Sequence, residues 1–157
     1  MKRARRMICT VLAVVALLST MALAASASNY GDTTISNIEL SYFEFSAPIT
    51  AREKTDTSPV YLHIKDVGHS YMAVAVQALG TNSRIATSGN VTNLTYSNGA
   101  LVYQVYCIED WKYSIHSLIY EEGFDYASLR FRGGITTGNT LWEAVWSPDS
   151  IGSYNEP

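Results

Sequence analysis

The sequence has 157 residues, with 11 basic and 14 acidic side chains, three histidines, two cysteines and a net charge of −3. That length suits one domain, and the lack of a basic excess argues against nucleic acid or another polyanion as partner. Two cysteines, one of them within an apolar N-terminal run, exclude a disulfide framework.

At the N-terminus, Lys2, Arg3, Arg5 and Arg6 precede an apolar run from Met7 to Leu18. This is the grammar of a signal peptide. Ala25-Ser26-Ala27 supplies the small-x-small pattern for cleavage after Ala27, with Ala22-Leu23-Ala24 as the second choice. The rival reading, a membrane anchor, fits less well, because the run falls short of the roughly 20 residues that a bilayer span needs. Cys9 lies within the run and not at the cleavage point, so it does not mark a lipoprotein, and the residues around Arg5-Arg6 do not support twin-arginine export. The expected organisation is a signal peptide over 1–27 and one secreted β domain over 28–157. Cleavage removes four basic residues and no acidic one, leaving seven against fourteen and a net charge of −7.

Period-two alternation dominates the rest of the chain and predicts strands. Ile38, Leu40 and Tyr42 alternate with polar residues, then Phe43 and Phe45 take the other phase, which predicts a bulge or a change of sheet. After a polar segment from Ala51 to Pro59, Val60, Leu62 and Ile64 face one way and Tyr61, His63 and Lys65 the other. Asp66-Val67-Gly68-His69 reads as a hairpin connection to a second run from Tyr71 to Leu79, with Met72, Val74 and Val76 as its apolar set. A weaker strand spans Val91 to Tyr96, and Ser97-Asn98-Gly99 is a strong turn signal. Leu101 to Ile108 is apolar on both faces apart from Gln104, and so reads as a central strand that buries Cys107 as a small hydrophobe.

Ser117 to Gly123 predicts one or two helical turns, capped by Ser117 and stopped by Gly123, or a wide turn. Ala127, Leu129 and Phe131 alternate with Tyr126, Ser128, Arg130 and Arg132, and Trp142, Ala144 and Trp146 form the last apolar set before Pro148. About seven short strands with at most one helical turn predict an all-β antiparallel sandwich, with a small barrel as the alternative.

Tyr120-Glu121-Glu122-Gly123-Phe124-Asp125-Tyr126-Ala127-Ser128-Leu129, followed by Val145-Trp146-Ser147-Pro148-Asp149-Ser150, resembles a family of small exported Gram-positive proteins known only as a domain of unknown function. The segment Ala51-Arg52-Glu53-Lys54-Thr55-Asp56-Thr57-Ser58-Pro59-Val60-Tyr61 is similar to the same family. The resemblance implies secretion, a compact β domain and, in some members, a likeness to bacteriocin-type products. It implies no catalytic residues.

The candidates for chemistry are few. His63, Asp66 and His69, with His116 as a third nitrogen, have the donor types of a zinc site, but solvated strand and turn histidines are the simpler reading. Gly68-His69-Ser70-Tyr71 lacks a nucleophile signature, and the adjacent acids Glu109, Asp110, Glu121 and Glu122 read as solvated edges more than as a facing catalytic pair. Spaced calcium-loop acids are missing. Tyr61, Tyr126 and Tyr113 fall on polar phases, where exposed rings stack on sugars or peptides, or else pack across strands to shield a sheet face; we prefer the packing. Asp149 reads as a turn residue that bonds nearby backbone, and Arg52, Lys54 and Asp56 as a loop that is either ion-paired or solvated. The sequence therefore predicts a secreted, non-enzymatic binding protein of unknown ligand, with no catalytic, cofactor or metal site. A bacteriocin-like effector is the alternative, and a hydrolase comes third.

Overall fold

Alternation gives most strands one dry face, and the chain assembles them into two antiparallel sheets that bury these faces together, with a separate two-stranded hairpin. The computed structural model describes residues 31–68, 73–133, 139–150, 152 and 154–157. The expected leader over 1–27 and its cleavage point, with His69, Ser70, Tyr71 and Met72, lie outside the described residues.

Among the described residues there are eleven strands: β1 (Thr33–Leu40), β2 (Arg52–Glu53), β3 (Val60–Val67), β4 (Val74–Thr81), β5 (Thr92–Asn93), β6 (Tyr96–Ser97), β7 (Ala100–Leu101), β8 (Val105–Cys107), β9 (Lys112–Ile115), β10 (Tyr126–Gly133) and β11 (Asn139–Ser147). The first sheet has the order β1-β11-β3-β9; the second has the order β2-β10-β4-β5, with β8 also paired to β4. Both sheets are open, so the architecture is a sandwich and not a barrel. One core joins them, with Leu62, Ile64 and Trp146 from the first sheet against Val76, Leu129 and Phe131 from the second. Each such side chain contributes about 1.5–3 kcal/mol when fully buried.

The chain changes sheet at almost every connection, and this overturns two sequence expectations. β3 and β4 do not form a hairpin: β3 pairs with β11 and β9, whereas β4 pairs with β10, β5 and β8. Leu101 to Ile108 is not the central strand either, since Leu101 is 56 % exposed and Tyr103 65 %, and only Val105–Cys107 pairs along β4. The central strand is β4 itself, buried at all eight positions. Gln77 on its outer face donates from Nε2 to the Tyr103 carbonyl and accepts from Arg130 Nε, so the buried amide is satisfied.

Two local devices shift the alternation. Asn37 adopts φ 59°, which interrupts the β1–β11 ladder between Ser36 and Ile38, so that Ile35 and Leu40, of opposite parity, both face inward. The phase change therefore falls at Asn37, earlier than the switch after Tyr42 that the sequence suggests. A bulge between β11 and β3 at Glu143 turns Leu141, Ala144 and Trp146 inward and leaves Trp142 49 % exposed, which corrects its assignment to the apolar set.

Turn chemistry matches the sequence more closely. Asn98 (φ 51°) and Gly99 (φ 80°) join β6 to β7 in the left-handed conformations of a type I′ hairpin. The segment after Ser117 is a single turn: Phe124 N–H bonds the Ile119 carbonyl, Gly123 N–H bonds that of Tyr120, and Gly123 (φ 78°) closes it in the αL conformation, whereas the buried Ser117 hydroxyl bonds none of its N–H groups and so is not the expected cap.

Both exposed edges near the end of the sandwich are covered. Gly133 N–H donates to the Ser41 carbonyl, Ser46 N–H to that of Phe131 and Ile49 N–H to that of Leu129, so residues 41–53 seal the edge of β10. The tail covers β9, with Ser114 N–H donating to the Asn155 carbonyl and Asn155 N–H to that of Lys112.

Candidate functional site

Two of the three segments that carry the family resemblance, 95 residues apart at their point of contact, meet at one corner of the sandwich. Lys54 follows β2 and is 3 % exposed; Asp149 follows β11 and is fully buried. Lys54 Nζ lies 2.6 Å from Asp149 Oδ1 and donates to the Ser58 carbonyl at 2.6 Å. Asp149 Oδ2 accepts from Thr55 N–H at 3.2 Å and from Thr55 Oγ1 at 2.8 Å. Asp56 Oδ1 stands 3.6 Å from the same ammonium and accepts from Ser58 N–H, while Ser150 N–H donates to Ser58 Oγ.

Two residues before Lys54, the Arg52 guanidinium lies 5.8 Å from the centre of the Trp146 ring and donates to the Gly31 carbonyl. Burial lowers its pKa, against the opposing fields of Asp149 and Asp32. The loop around Lys54 is thus ion-paired and not solvated, and Asp149 bonds backbone that is remote in sequence, not its own turn.

Above this node opens a cleft of about 310 Å³ lined by Asp32, Tyr61, Lys112, Ser147, Asp149, Ser150 and Tyr154. It lies on the outer face of the first sheet because β3 and its neighbours align Ser147, Tyr61 and Ser114 in one cross-strand row. The tail then brings Tyr154 over Tyr61, with ring centroids 4.8 Å apart, and this leaves Tyr61 8 % exposed. Burial raises the Tyr61 pKa, reinforced by Asp32 and Tyr154. A shallower groove of about 660 Å³ continues past Lys112 and Tyr154 to Asp110, Trp111 and Asn155, and Trp111 is 48 % exposed. Aromatic surface, amide and hydroxyl groups and single charges of both signs therefore converge along one open channel. Asp149 has both oxygens engaged by Lys54 and Thr55, so it does not face Asp32 as a free acid.

The opposite face carries a second polar cluster. Arg130 and Arg132, on the outer side of β10, place their guanidinium carbons 5.0 and 5.1 Å from the centre of the Phe45 ring. Their partners are Gln77 and Gln104, not carboxylates.

The structure scatters the sequence candidates. His63 sits on β3 opposite Lys112, with its pKa lowered by burial and then by Lys112 and Lys65. His116 lies beyond the far end of β9, exposed, 3.2 Å from Glu156. Asp66 is exposed, and His69 lies outside the described residues. No group of three or more His, Cys, Asp or Glu converges on a metal position among the described residues. Glu109 Oε1 accepts from Val67 N–H, whereas Glu121 and Glu122 are exposed on the turn before β10. Cys107 is buried, and burial pushes its thiol pKa upward.

Of the three tyrosines on polar phases, Tyr61 and Tyr113 are packed, and the Tyr113 hydroxyl accepts from Ile108 N–H. Tyr126 is half-buried with its hydroxyl 3.4 Å from Arg84 Nε. The exposed aromatic surface at the channel comes instead from Trp111 and Tyr154, which no strand alternation marks. The signal available for Trp111 is its place in the polar Glu109-Asp110-Trp111-Lys112 connection, where a large ring has no strand face to bury.

The family profile described as "Protein of unknown function (DUF2712)" matches residues 21–150, a span that contains both segments of the corner node. No curated protein and no solved structure matches the chain.

Proposed function

The chain belongs to the DUF2712 family of proteins of unknown function, and from that premise we propose that it is an exported, non-enzymatic binding protein that recognises its ligand in the channel from Tyr61 to Trp111. The observation that carries the reading is the channel itself, where a half-exposed Trp111 and the Tyr61–Tyr154 ring pair adjoin Lys112, Asn155 and Ser150. Aromatic faces flanked by hydrogen-bonding groups suit a neutral, hydroxyl-rich ligand such as a saccharide of the cell envelope. Support for export comes from the basic and apolar leader with its Ala25-Ser26-Ala27 cleavage pattern. A net charge of −7 without the leader accords with a neutral ligand better than with a polyanion.

The test is titration of the purified domain, residues 28–157, with envelope polysaccharides and their oligosaccharides, following tryptophan fluorescence. Saturable quenching that disappears in Trp111→Ala and weakens in Tyr154→Ala, with unfolding unchanged, supports the reading. Binding that survives both substitutions, or no binding across the panel, refutes it. Detection of the chain inside the cell with its leader intact refutes the export half.

A further inference from the structure

We propose that Lys54 and Asp149 become joined by an intramolecular isopeptide bond between Nζ and Cγ, formed by the folded protein without any added reagent. Four features of the corner carry this. The two reacting groups are in contact at 2.6 Å and almost wholly removed from water, at 3 % and 0 % exposure. Such fixed juxtaposition is worth effective molarities of about 10⁵–10⁸ M in well-oriented intramolecular reactions. Thr55 N–H and Thr55 Oγ1 both donate to Asp149 Oδ2, the oxygen on which charge develops when the carboxyl carbon is attacked. Asp56 lies 3.6 Å from Nζ and is held there by Ser58 N–H, with its side chain partly open to solvent, as a proton carrier requires.

The step balances within these groups. One proton passes from the Lys54 ammonium to Asp149 Oδ1, leaving a neutral amine and a neutral acid. The nitrogen lone pair attacks Cγ, the N–C bond forms, and the carbonyl electron pair moves onto Oδ2 between the two Thr55 donors. Asp56 takes a second proton from the nitrogen and delivers it to Oδ1. The electron pair returns from Oδ2, the Cγ–Oδ1 bond breaks, and Oδ1 leaves as water with both protons. The third proton stays on the amide nitrogen.

The product keeps the hydrogen bonds to Ser58 and Thr55 and gives up only the 3.6 Å ion pair between Lys54 and the partly exposed Asp56. The amide N–H still faces the Ser58 carbonyl and the amide oxygen still accepts from Thr55. Two buried charges disappear, along with the desolvation penalty that they impose. The bond ties together positions 95 residues apart in a chain whose described residues hold a single cysteine.

The test is a tryptic digest of the purified folded protein, denatured before digestion and read by mass spectrometry. An amide at Lys54 blocks cleavage there, so residues 53–65 are expected joined to residues 133–157, lighter than the two peptides together by one water. Asp56→Asn keeps an acceptor for Ser58 N–H but removes the proton carrier, and is expected to release residues 55–65 as a linear peptide. Quantitative release of residues 55–65 from the unsubstituted protein overturns the proposal. Joined peptides in Asp56→Asn overturn the step as written.

Discussion

Replacing Lys54 with Met should be among the most damaging single changes available outside the apolar core. The substitution keeps most of the length of the side chain but leaves Asp149, fully buried, with only Thr55 as a donor to its carboxylate. Removing one member of a buried pair typically destabilises by about 3–5 kcal/mol, because the remaining charge has neither counter-ion nor water. For a domain of this size, at about 3–5 °C per kcal/mol, the midpoint of thermal unfolding should fall by about 10–20 °C. The assay is thermal unfolding followed by far-UV circular dichroism. Asp149→Leu should also destabilise, but by less, since the Lys54 ammonium keeps the Ser58 carbonyl and the Asp56 carboxylate 3.6 Å away. The double variant Lys54→Met with Asp149→Leu should be more stable than the two losses combined, because neither charge is then left unpaired. The non-additivity holds for the charged pair and for its amide alike, since either single substitution already removes the cross-link that the amide makes. A fall of less than about 3 °C for Lys54→Met, or strictly additive losses in the double variant, refutes the reasoning.

Three further outcomes follow from the same geometry. Gly80→Ala places a Cβ 2.8 Å from the Phe124 ring and 2.9 Å from Leu94 Cδ1, so it should destabilise by about 1–3 kcal/mol through overpacking; chemical denaturation that shows no shift in midpoint disproves the clash. The pKa of His63 is lowered in the folded state by burial, Lys112 and Lys65, so the unfolded chain binds the proton more readily and folding stability should decline as pH falls through about 6.5. His63→Gln should flatten that decline, and an unchanged slope of unfolding midpoint against pH excludes the assignment. Cys107, with no exposed surface and its thiol pKa raised by burial, should resist a thiol reagent in the native protein and react at once in denaturant; rapid native labelling contradicts the burial.

The strands that were legible in the sequence are those whose alternation is set by one buried face. Val60, Leu62 and Ile64 on β3, and Ala127, Leu129 and Phe131 on β10, are buried as their spacing requires. β4 was read only in part, because Ala75, Gln77, Gly80 and Thr81 are small or polar and yet buried, held by neighbours that a hydropathy pattern does not contain. The reverse error fell on Leu101 to Ile108, where Leu101, Tyr103 and Tyr106 are apolar by type and exposed in fact. Pairing failed for β3 and β4 because a sandwich that changes sheet at nearly every connection makes sequence neighbours poor guides to spatial ones. The site was legible as two segments and illegible as one place. Nothing local to Lys54 indicates that its partner lies 95 residues away.

That partnership has a physical cause in the crossing of the chain between sheets. Where residues 54–59 leave the second sheet for β3, their backbone groups fall outside both ladders, and buried groups of that kind need partners elsewhere. The C-terminal end of β11 supplies them directly and indirectly. Asp149 receives Thr55 N–H, Lys54 once fixed by Asp149 reaches the Ser58 carbonyl, and Ser150 N–H returns to Ser58 Oγ. Removing either charge therefore frees a corner of backbone as well as an ion pair. The corner also forms one wall of the cleft, through Asp149 and Ser150, while Tyr61 on β3 begins where the crossing ends. Loosening the corner should for that reason disturb the channel before it unfolds the sandwich, and Trp111, on the far side of Lys112, is positioned to report the difference.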